Sequence, residues 1–144
     1  MATSTYKSEL EVPVPVDQLF SWHENPGAFE RLTPPFEPVK VKKRKGGIDG
    51  GEVHLQMNLG PIPLPWVARH HNYIKNEQFL DEQVSGPFAS WNHAHLFEKI
   101  DAKSSKLIDE IDYKLPFGTI GKTFGGAFAE QKIKSSAISL VAQL

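Results

Sequence analysis

Two histidines and two aspartates sit at positions of this sequence where acid–base chemistry is possible. His93 and His95 occupy alternate positions of one predicted strand, with Asp81 on the strand before it and Asp109 on the strand after it. Side chains alternate between the faces of a β-strand, so residues two apart share a face. A carboxylate beside an imidazole raises the pKa of the histidine and fixes its tautomer, as general acid–base catalysis requires. These four residues are therefore the candidate catalytic groups.

Two turn signals predict how the three strands pair. Gly86-Pro87-Phe88 joins the first two strands, and residues 101–105 join the second and third. The register that these turns favour sets three pairs of residues opposite each other: Gln83 and Trp91, Asp81 and His93, and His95 and Asp109. Directly opposed residues have Cβ atoms about 4.5–5.5 Å apart, which predicts an Asp81–His93 couple and a His95–Asp109 couple. A shift of one residue would turn all of them to the other face.

The same residues have other interpretations. Carboxylate–imidazole couples also satisfy buried polar groups, and we favour a structural or ligand-orienting role over catalysis. For a metal, His93 and His95 would supply two imidazoles, and Asp81, His70 or Asp109 could complete a tetrahedral zinc site. Two histidines that already have carboxylate partners are too few to indicate a metal. The sequence therefore predicts neither a metal nor a cofactor.

Composition excludes several classes of function. A net charge of −1 over 144 residues does not suit a nucleic-acid-binding domain, and the basic run at 40–45 is typical of a solvated strand. The chain has no cysteine, so thiolate chemistry is excluded. No apolar run reaches the ~18 residues of a membrane span, and the N-terminus lacks a signal-peptide core. By elimination, we expect a cytoplasmic protein that forms a single domain over residues 1–144.

Hydrophobic periodicity predicts the elements that position these residues. The predicted order is one strand, two short helices, about six consecutive strands and a long helix. The predicted segments are a strand at 6–12, helices from Asp17 and at 27–32, strands at 36–45, 52–59, 66–74, 79–85, 91–97 and 107–113, a proline-rich turn at 60–65, and a helix from Thr119 to about Ala142. Consecutive strands imply an antiparallel sheet, on which the last helix must bury its apolar stripe. A curved sheet that holds one helix leaves a cavity for a small molecule.

Three stretches resemble a known superfamily. The first reads Leu19-Phe20-x-Trp22-His23-x-x-Pro26-Gly27-Ala28-Phe29-x-Arg31-Leu32-x-Pro34-Pro35. The other two read Phe79-x-Asp81-x-Gln83-x-x-Gly86-Pro87-Phe88-x-x-Trp91-x-His93-x-His95-x-Phe97 and Asp109-x-Ile111-x-Tyr113-x-Leu115-Pro116. The chain resembles, up to about Gly126, the START, birch-pollen-allergen and polyketide cyclase/dehydrase (SRPBCC) superfamily. The resemblance implies an α+β helix-grip fold, with a curved antiparallel sheet of about seven strands around a long C-terminal helix. It also implies a cavity for lipid-like or polycyclic ligands. In small bacterial relatives the domain occurs alone or ahead of an epimerase-like partner domain.

In such a fold the core residues line the cavity, which extends the set of candidate ligand-binding residues. The full candidate set is Trp22, Trp66, His70, Phe79, Asp81, Gln83, Trp91, His93, His95, Phe97, Asp109, Ile111, Tyr113, Phe124 and Phe128. His70 is expected near Gln83 on the neighbouring strand, and His23 and His54 are expected to be exposed.

Two functional hypotheses follow from this set. In the first, the protein binds or carries a small hydrophobic or amphipathic molecule, whose polar end is oriented by the His/Asp/Gln row. In the second, it is a cyclase or dehydratase-like enzyme in which His93 or His95 moves a proton, polarised by Asp81 or Asp109. A third and weaker reading, an interaction module without a cavity, stays open.

Overall fold

The structure, a computed structural model, contains one short helix and seven strands among the residues that it describes. These are residues 3–25, 28, 31, 39–59 and 61–114, with only the backbone described at 57–59 and 62. In chain order the elements are β1 (Ser4–Val12), α1 (Val16–Glu24), β2 (Val39–Lys45), β3 (Glu52–Leu59), β4 (Ile62–Ile74), β5 (Gln78–Ser85), β6 (Ser90–Lys99) and β7 (Ser105–Lys114).

The strands form a single antiparallel sheet in the order β1-β7-β6-β5-β4-β3-β2. Each strand from β2 to β7 pairs with the next one along the chain, as short connections favour. The first strand returns to pair with the last, because Ser4–Val12 lies along Ser105–Tyr113. The three strands that carry the candidate residues are therefore adjacent in the sheet.

Alternation along the strands defines the two faces of the sheet. In β1, Thr5, Lys7, Glu9 and Glu11 are exposed, whereas the residues between them are partly or fully buried. The register of β1 and β7 places the buried set of β1 on the same face as Leu107, Ile111 and Tyr113. We call this the inner face. It is the face on which α1 lies, because Leu19 and Phe20 join the same apolar cluster as Leu107.

Three irregularities in the ladder coincide with the curvature of the sheet. The register shifts between Val41 and Lys43 in β2, and between Val67 and Ala68 and again between His71 and Ile74 in β4. Bulges of this kind bend a strand and increase its twist. At the last of them, Asn72 has a φ of 52°, in the left-handed region that asparagine tolerates better than most residues.

The helix α1 follows Pro13 and Pro15, which end the first strand as predicted. Its backbone starts with a hydrogen bond from the Leu19 N–H to the Pro15 carbonyl at 3.0 Å. Leu19, Phe20 and His23 form its buried face, at the spacing that one side of a helix requires. The Phe20 ring lies edge-on to the Phe97 ring at a centroid distance of 5.0 Å.

The predicted proline-rich turn at 60–65 is wrong, because β4 already begins at Ile62. Pro63 and Pro65 pair with β3, but β4 meets β5 only from Val67 onward. One edge of this first part of β4 is therefore unpaired by β5. Residues two apart direct their N–H positions to the same edge, so both prolines fit a strand whose missing donors face the unpaired side.

The fold expected from the sequence is seen for the part of the chain that is described. The curved antiparallel sheet of seven strands and the first short helix are present. The predicted second helix at 27–32 falls largely outside the described residues, and the long C-terminal helix from Thr119 falls wholly outside them. The start of the predicted strand at 36–38 also lies outside them. Across the described helices, none has both the length and the apolar character that crossing a membrane requires.

Candidate functional site

Four polar side chains lie between two apolar clusters on the inner face. Strand β6 shows the arrangement, because Trp91 and Phe97 are buried near its ends and His93 and His95 lie between them. Asp81 on β5 and Asp109 on β7 flank the two histidines. We call Asp81, His93, His95 and Asp109 the polar row. The order of apolar, polar and apolar positions is the one that the sequence pattern predicted.

The two clusters differ in what they contain. The first, called the α1 cluster, consists of Val12, Val14, Leu19, Phe20, Phe79, Phe97 and Leu107. The second, called the tryptophan cluster, consists of Trp66, Ala68, Phe88, Trp91, Ile111 and Tyr113. The rings of Trp66 and Trp91 meet edge to face at a centroid distance of 5.3 Å. Apolar surface thus borders the polar row on both sides along the strands.

The predicted register of the polar row is confirmed, but its hydrogen bonds run diagonally. Asp81 is paired with His93, and His95 with Asp109. Nε2 of His93 nevertheless donates to Oδ1 of Asp109 at 2.7 Å, and Nε2 of His95 donates to Oδ2 of Asp81 at 2.8 Å. The predicted Asp81–His93 couple is therefore wrong as a hydrogen-bonded pair, whereas His95 and Asp109 remain in contact at 3.4 Å. Diagonal neighbours on a sheet are about 7–8 Å apart at the backbone, a span that an imidazole and a carboxylate can bridge.

The four groups form a ring in which each imidazole lies between two carboxylates. The directly opposed atoms are farther apart, at 4.0 Å from Nδ1 of His93 to Oδ2 of Asp81 and 3.4 Å from Nδ1 of His95 to Oδ1 of Asp109. The two imidazole rings are stacked, with centroids 3.8 Å apart. Phe79 stacks on the other side of His95, at 4.3 Å. The rotation of the His95 ring is therefore restricted by packing in addition to hydrogen bonding.

Both carboxylates of the polar row have pKa values below their ordinary range. Burial raises the pKa of Asp81, but the hydrogen bond from His95 and the nearby imidazoles outweigh it and lower the pKa to about 2. Burial likewise opposes ionisation of Asp109, and hydrogen bonds from His93 and His95 hold its pKa well below the usual value. Both groups are therefore ionised at neutral pH.

The pKa of His95 shifts in the opposite direction. Burial lowers the pKa of this imidazole. Asp109, which lies beside Nδ1, and Asp81, which accepts a hydrogen bond from Nε2, outweigh that effect and raise the pKa to about 9. His95 is thus an imidazolium at neutral pH, with one carboxylate near each ring nitrogen. The carboxylates of Asp81 and Asp109 stabilise this positive charge in place of water, and a charged histidine can therefore be buried here.

His70 lies beside the polar row, in a place that differs from the one expected. It faces Asp81, and Ala68 is the residue that faces Gln83. Burial lowers the pKa of His70, although Asp81 opposes that shift, so its imidazole is uncharged at neutral pH. Its Nδ1 is buried and forms no hydrogen bond of normal geometry among the described residues, although the Gly51 carbonyl is near enough to raise the pKa slightly.

Gln83 has a different function from the one expected of it. Its side-chain Nε2 donates to the Phe88 carbonyl at 2.8 Å, and its Oε1 accepts from the Phe88 N–H at 3.1 Å. The β5–β6 ladder ends with Glu82 and Asn92, so Gln83 does not pair with Trp91. Both ends of the amide are used to close the turn between β5 and β6.

His23, expected to be exposed, is buried in the α1 cluster. It is 5% exposed, and its Nδ1 donates to the Leu19 carbonyl at 2.8 Å. Burial lowers its pKa to about 4, against a smaller opposing effect of that hydrogen bond. Its position one turn after Leu19, on the apolar side of α1, was the sequence signal that could have revealed this burial. His54, by contrast, is 37% exposed and lies 3.3 Å from Glu52.

The remaining candidate residues fall into three groups. Trp66, Phe79, Trp91, Phe97, Ile111 and Tyr113 are buried in the two apolar clusters that border the polar row. Trp22 is on α1, packed edge to face on His23 and under the guanidinium of Arg31, and it does not join the polar row. Phe124 and Phe128 lie outside the described residues.

Comparisons with known proteins agree with this architecture. Residues 12–137 match the family of polyketide cyclases/dehydrases and lipid transport proteins. A curved antiparallel sheet with a helix after its first strand is the START-like, SRPBCC type of fold. The chain belongs to the polyketide cyclase/dehydrase and lipid transport family. No protein of curated function matches the sequence.

Solved structures of similar fold have varied functions. The Zhui aromatase/cyclase from Streptomyces sp. R1128 is 13% identical over 99% of this chain and 93% of its own, with a TM-score of 0.80. A START superfamily protein from Mycobacterium smegmatis is 13% identical over 96% of this chain and 95% of its own, with a TM-score of 0.75. A nucleoside-diphosphate sugar epimerase from Corynebacterium glutamicum is 28% identical over 77% of this chain but only 25% of its own, with a TM-score of 0.66.

Proposed function

We propose that this protein binds a small hydrophobic or amphipathic molecule against the inner face of its sheet. The polar row would orient the polar end of the ligand, and the two apolar clusters would bury its body. The observation that carries the proposal is the placement of four charged or polar groups between two apolar clusters. A face that served only as a core would bury apolar side chains there at lower electrostatic cost.

Membership of a family that includes lipid transport proteins and cyclases supports a ligand of this kind. Aromatic residues on both sides of a few fixed polar groups are typical of small-molecule sites. The polar row is also rigid, because the hydrogen bonds of 2.7 and 2.8 Å and the stacked rings hold the side chains in place. A preorganised row loses little conformational entropy when it hydrogen-bonds a ligand.

The proposal can be tested first by native mass spectrometry of freshly purified protein, for a molecule that co-purifies. The second measurement is a fluorescence titration with 1-N-phenylnaphthylamine, an apolar probe with one N–H donor. We expect saturable binding to the wild type and binding about 3- to 10-fold weaker in His95→Gln, because Asp81 and Asp109, whose carboxylates would accept from the N–H of the probe, lose the imidazolium that holds them in place. Asn92→Ala is the matched control, because Asn92 is exposed on the outer face of the same strand.

Three results would refute the proposal. They are the absence of both a co-purified molecule and saturable probe binding, equal weakening by Asn92→Ala and His95→Gln, and unchanged affinity in a His95→Gln variant that folds normally. Circular dichroism of each variant establishes that it is folded, so that a weaker signal can be assigned to the site.

A second candidate function is a cyclase or dehydratase reaction at the same face. The observation in its favour is that both imidazoles of the polar row are hydrogen-bonded to carboxylates beside an apolar surface, the arrangement in which a histidine transfers a proton. His95→Ala or Asp109→Asn would then abolish turnover of the co-purified molecule or of a polyketide-like substrate. If the protein is only a binder, the same substitutions weaken binding and no product forms with the wild type.

Other features of the proposal concern the cellular context. We propose a cytoplasmic location and one START-like domain over residues 1–144. The likeness to a quarter of an epimerase chain supports an epimerase-like domain as a possible partner of this one. A pull-down with a separately expressed epimerase-like domain from the same genome tests the partnership, and failure of the two to associate at micromolar concentration would contradict it.

A further inference from the structure

Three residues of the polar row, Asp81, His93 and His95, present the donor atoms of a metal site. The fourth, Asp109, lies on the other side of the two histidines, where its carboxylate orients them. One ligand atom each from Asp81, His93 and His95 lies within 4.8 Å of the other two. Oδ2 of Asp81 is 2.8 Å from Nε2 of His95 and 4.0 Å from Nδ1 of His93. The sequence alone did not indicate a metal, because it could not show that these three atoms converge.

Asp109 explains why these particular nitrogens face Asp81. It accepts a hydrogen bond from Nε2 of His93 at 2.7 Å and lies 3.4 Å from Nδ1 of His95. Each imidazole therefore gives one nitrogen to Asp109 and presents the other on the side of Asp81. A carboxylate bound to the second nitrogen of each histidine ligand is the usual support of a metal site, since it fixes the tautomer and the orientation of the ring.

We propose that Asp81, His93 and His95 bind a divalent transition-metal cation through Oδ2, Nδ1 and Nε2 respectively, with Asp109 as the positioning residue for both histidines. Bonds of about 2.0–2.1 Å to a tetrahedral zinc place the ligand atoms about 3.3 Å apart. The present separations of 2.8 and 4.0 Å lie on either side of that value. Metal binding would therefore replace the hydrogen bond between Asp81 and His95 and rotate the side chains of Asp81 and His93.

The charge of the site also favours a cation. Two carboxylates lie close together in a partly buried place, where their attraction for positive charge is little screened by water. The donors are imidazole and carboxylate with no thiolate, a set that suits zinc, iron(II), cobalt(II) and nickel(II). Three protein ligands leave at least one coordination position open for water or for an oxygen of a ligand.

The inference does not depend on the proposed ligand, because metal binding can be measured without one. The experiment uses full-length protein made without a histidine tag and treated with a chelator. Cobalt(II) is titrated in, and binding is followed through the visible absorption of low-symmetry cobalt(II). Zinc(II) is then added in competition. We expect one cobalt ion per chain and loss of the visible bands when zinc replaces it.

Four variants locate the ion. His93→Gln and Asp81→Asn each remove a ligand and should weaken binding at least about 100-fold, whereas Asp109→Asn keeps all three ligands and should weaken it about 10- to 100-fold. His54→Gln is the control, because His54 lies 3.3 Å from Glu52 on β3, outside the polar row, and its removal should leave the affinity unchanged.

The outcomes decide the question even if one variant fails to fold. Nuclear magnetic resonance of the wild type with and without zinc should shift the ring signals of His93 and His95 and leave those of His54 in place. The proposal is overturned if the wild type shows no saturable binding up to millimolar cobalt. It is also overturned if His54→Gln weakens binding as much as His93→Gln does, or if the ring signals of His93 and His95 do not respond to zinc.

Discussion

The hydrogen bond between His93 and Asp109 gives the sharpest prediction, because these two residues are diagonal neighbours. Across the strands His93 is directly opposed to Asp81, and Asp109 to His95. The 2.7 Å bond joins two side chains that are only 12% and 15% exposed, so solvent screens it little. The opposed pair, His93 and Asp81, is 4.0 Å apart and makes no hydrogen bond through those atoms. Two double-mutant cycles that share His93→Gln separate these interactions.

The expected magnitudes follow from the geometry. A hydrogen bond to a charged partner contributes about 1.5–3 kcal/mol, and this is the coupling energy that we expect between His93→Gln and Asp109→Asn. The coupling energy between His93→Gln and Asp81→Asn should be smaller, because the two side chains are 4.0 Å apart and share no hydrogen bond through those atoms. Asp109→Asn alone leaves His93 without its ionised acceptor, whereas His95 keeps Asp81, and should cost about 2–3 kcal/mol.

Urea unfolding followed by circular dichroism provides the free energies, and thermal melts provide a check. At about 4 °C per kcal/mol for a chain of this size, Asp109→Asn should lower Tm by about 8–12 °C. The reasoning is refuted if the two coupling energies are equal, or if the Asp81 cycle gives the larger one. In that case the strands would be joined by their directly opposed residues, as the sequence alone suggests.

Two further predictions concern stability away from the polar row. The pKa of His23 is about 4 in the folded chain and 6.5 in the unfolded one, so the unfolded chain takes up the proton first, and the stabilising effect, full above about pH 6.5, is lost as the pH falls toward 4. His23→Leu is the control, because it removes this titration and leaves those of His95 and Asp109. Between pH 7 and pH 4 the free energy of unfolding, measured with urea, should fall by about 3 kcal/mol more in the wild type than in this variant. Parallel pH profiles of the two proteins would contradict this. Gly51→Ala should lower the free energy of unfolding by at least about 2 kcal/mol, because its Cβ would lie 2.5 Å from two backbone oxygens. Gly47→Ala is the control, because its Cβ meets nothing closer than 3.5 Å. Equal urea midpoints for the two variants would disprove the reasoning.

Much of the sheet could be predicted from the sequence because its side chains alternate strictly. In β6 the buried Trp91 and Phe97 enclose two histidines at even spacing, which is enough to assign the strand, its inner face and its register with Asp109. Turn residues at 86–88 and 101–105 fixed the pairings on either side. Register is strongly specified when one face is buried, because a slip of one residue would expose the whole set.

The hydrogen-bond partners could not be predicted because they depend on side-chain torsions. Opposed and diagonal carboxylates are both within reach of an imidazole, and the stacking of His95 between Phe79 and His93 favours the diagonal choice. The turn predicted around Pro63 and Pro65 is wrong for a different reason. A proline rule based on central strands does not apply where a long strand extends beyond its neighbour on one side.

His23 and Gln83 show a similar limit. A histidine on a helix and a glutamine near a turn look like exposed or ligand-facing groups in a sequence. Each is instead used locally, His23 by donating to the carbonyl four residues earlier and Gln83 by bonding both backbone groups of Phe88. Such bonds satisfy polar atoms within a few residues and leave no periodic pattern.

The most direct test of ligand binding at the polar row is a nitrogen-15 NMR titration of the imidazole rings with 1-N-phenylnaphthylamine. If the ligand lies against the inner face, the ring signals of His93 and His95 shift saturably, with the same affinity as the fluorescence change, and those of the partly exposed His54 stay in place. Saturable probe binding that leaves the signals of His93 and His95 unmoved would contradict the account.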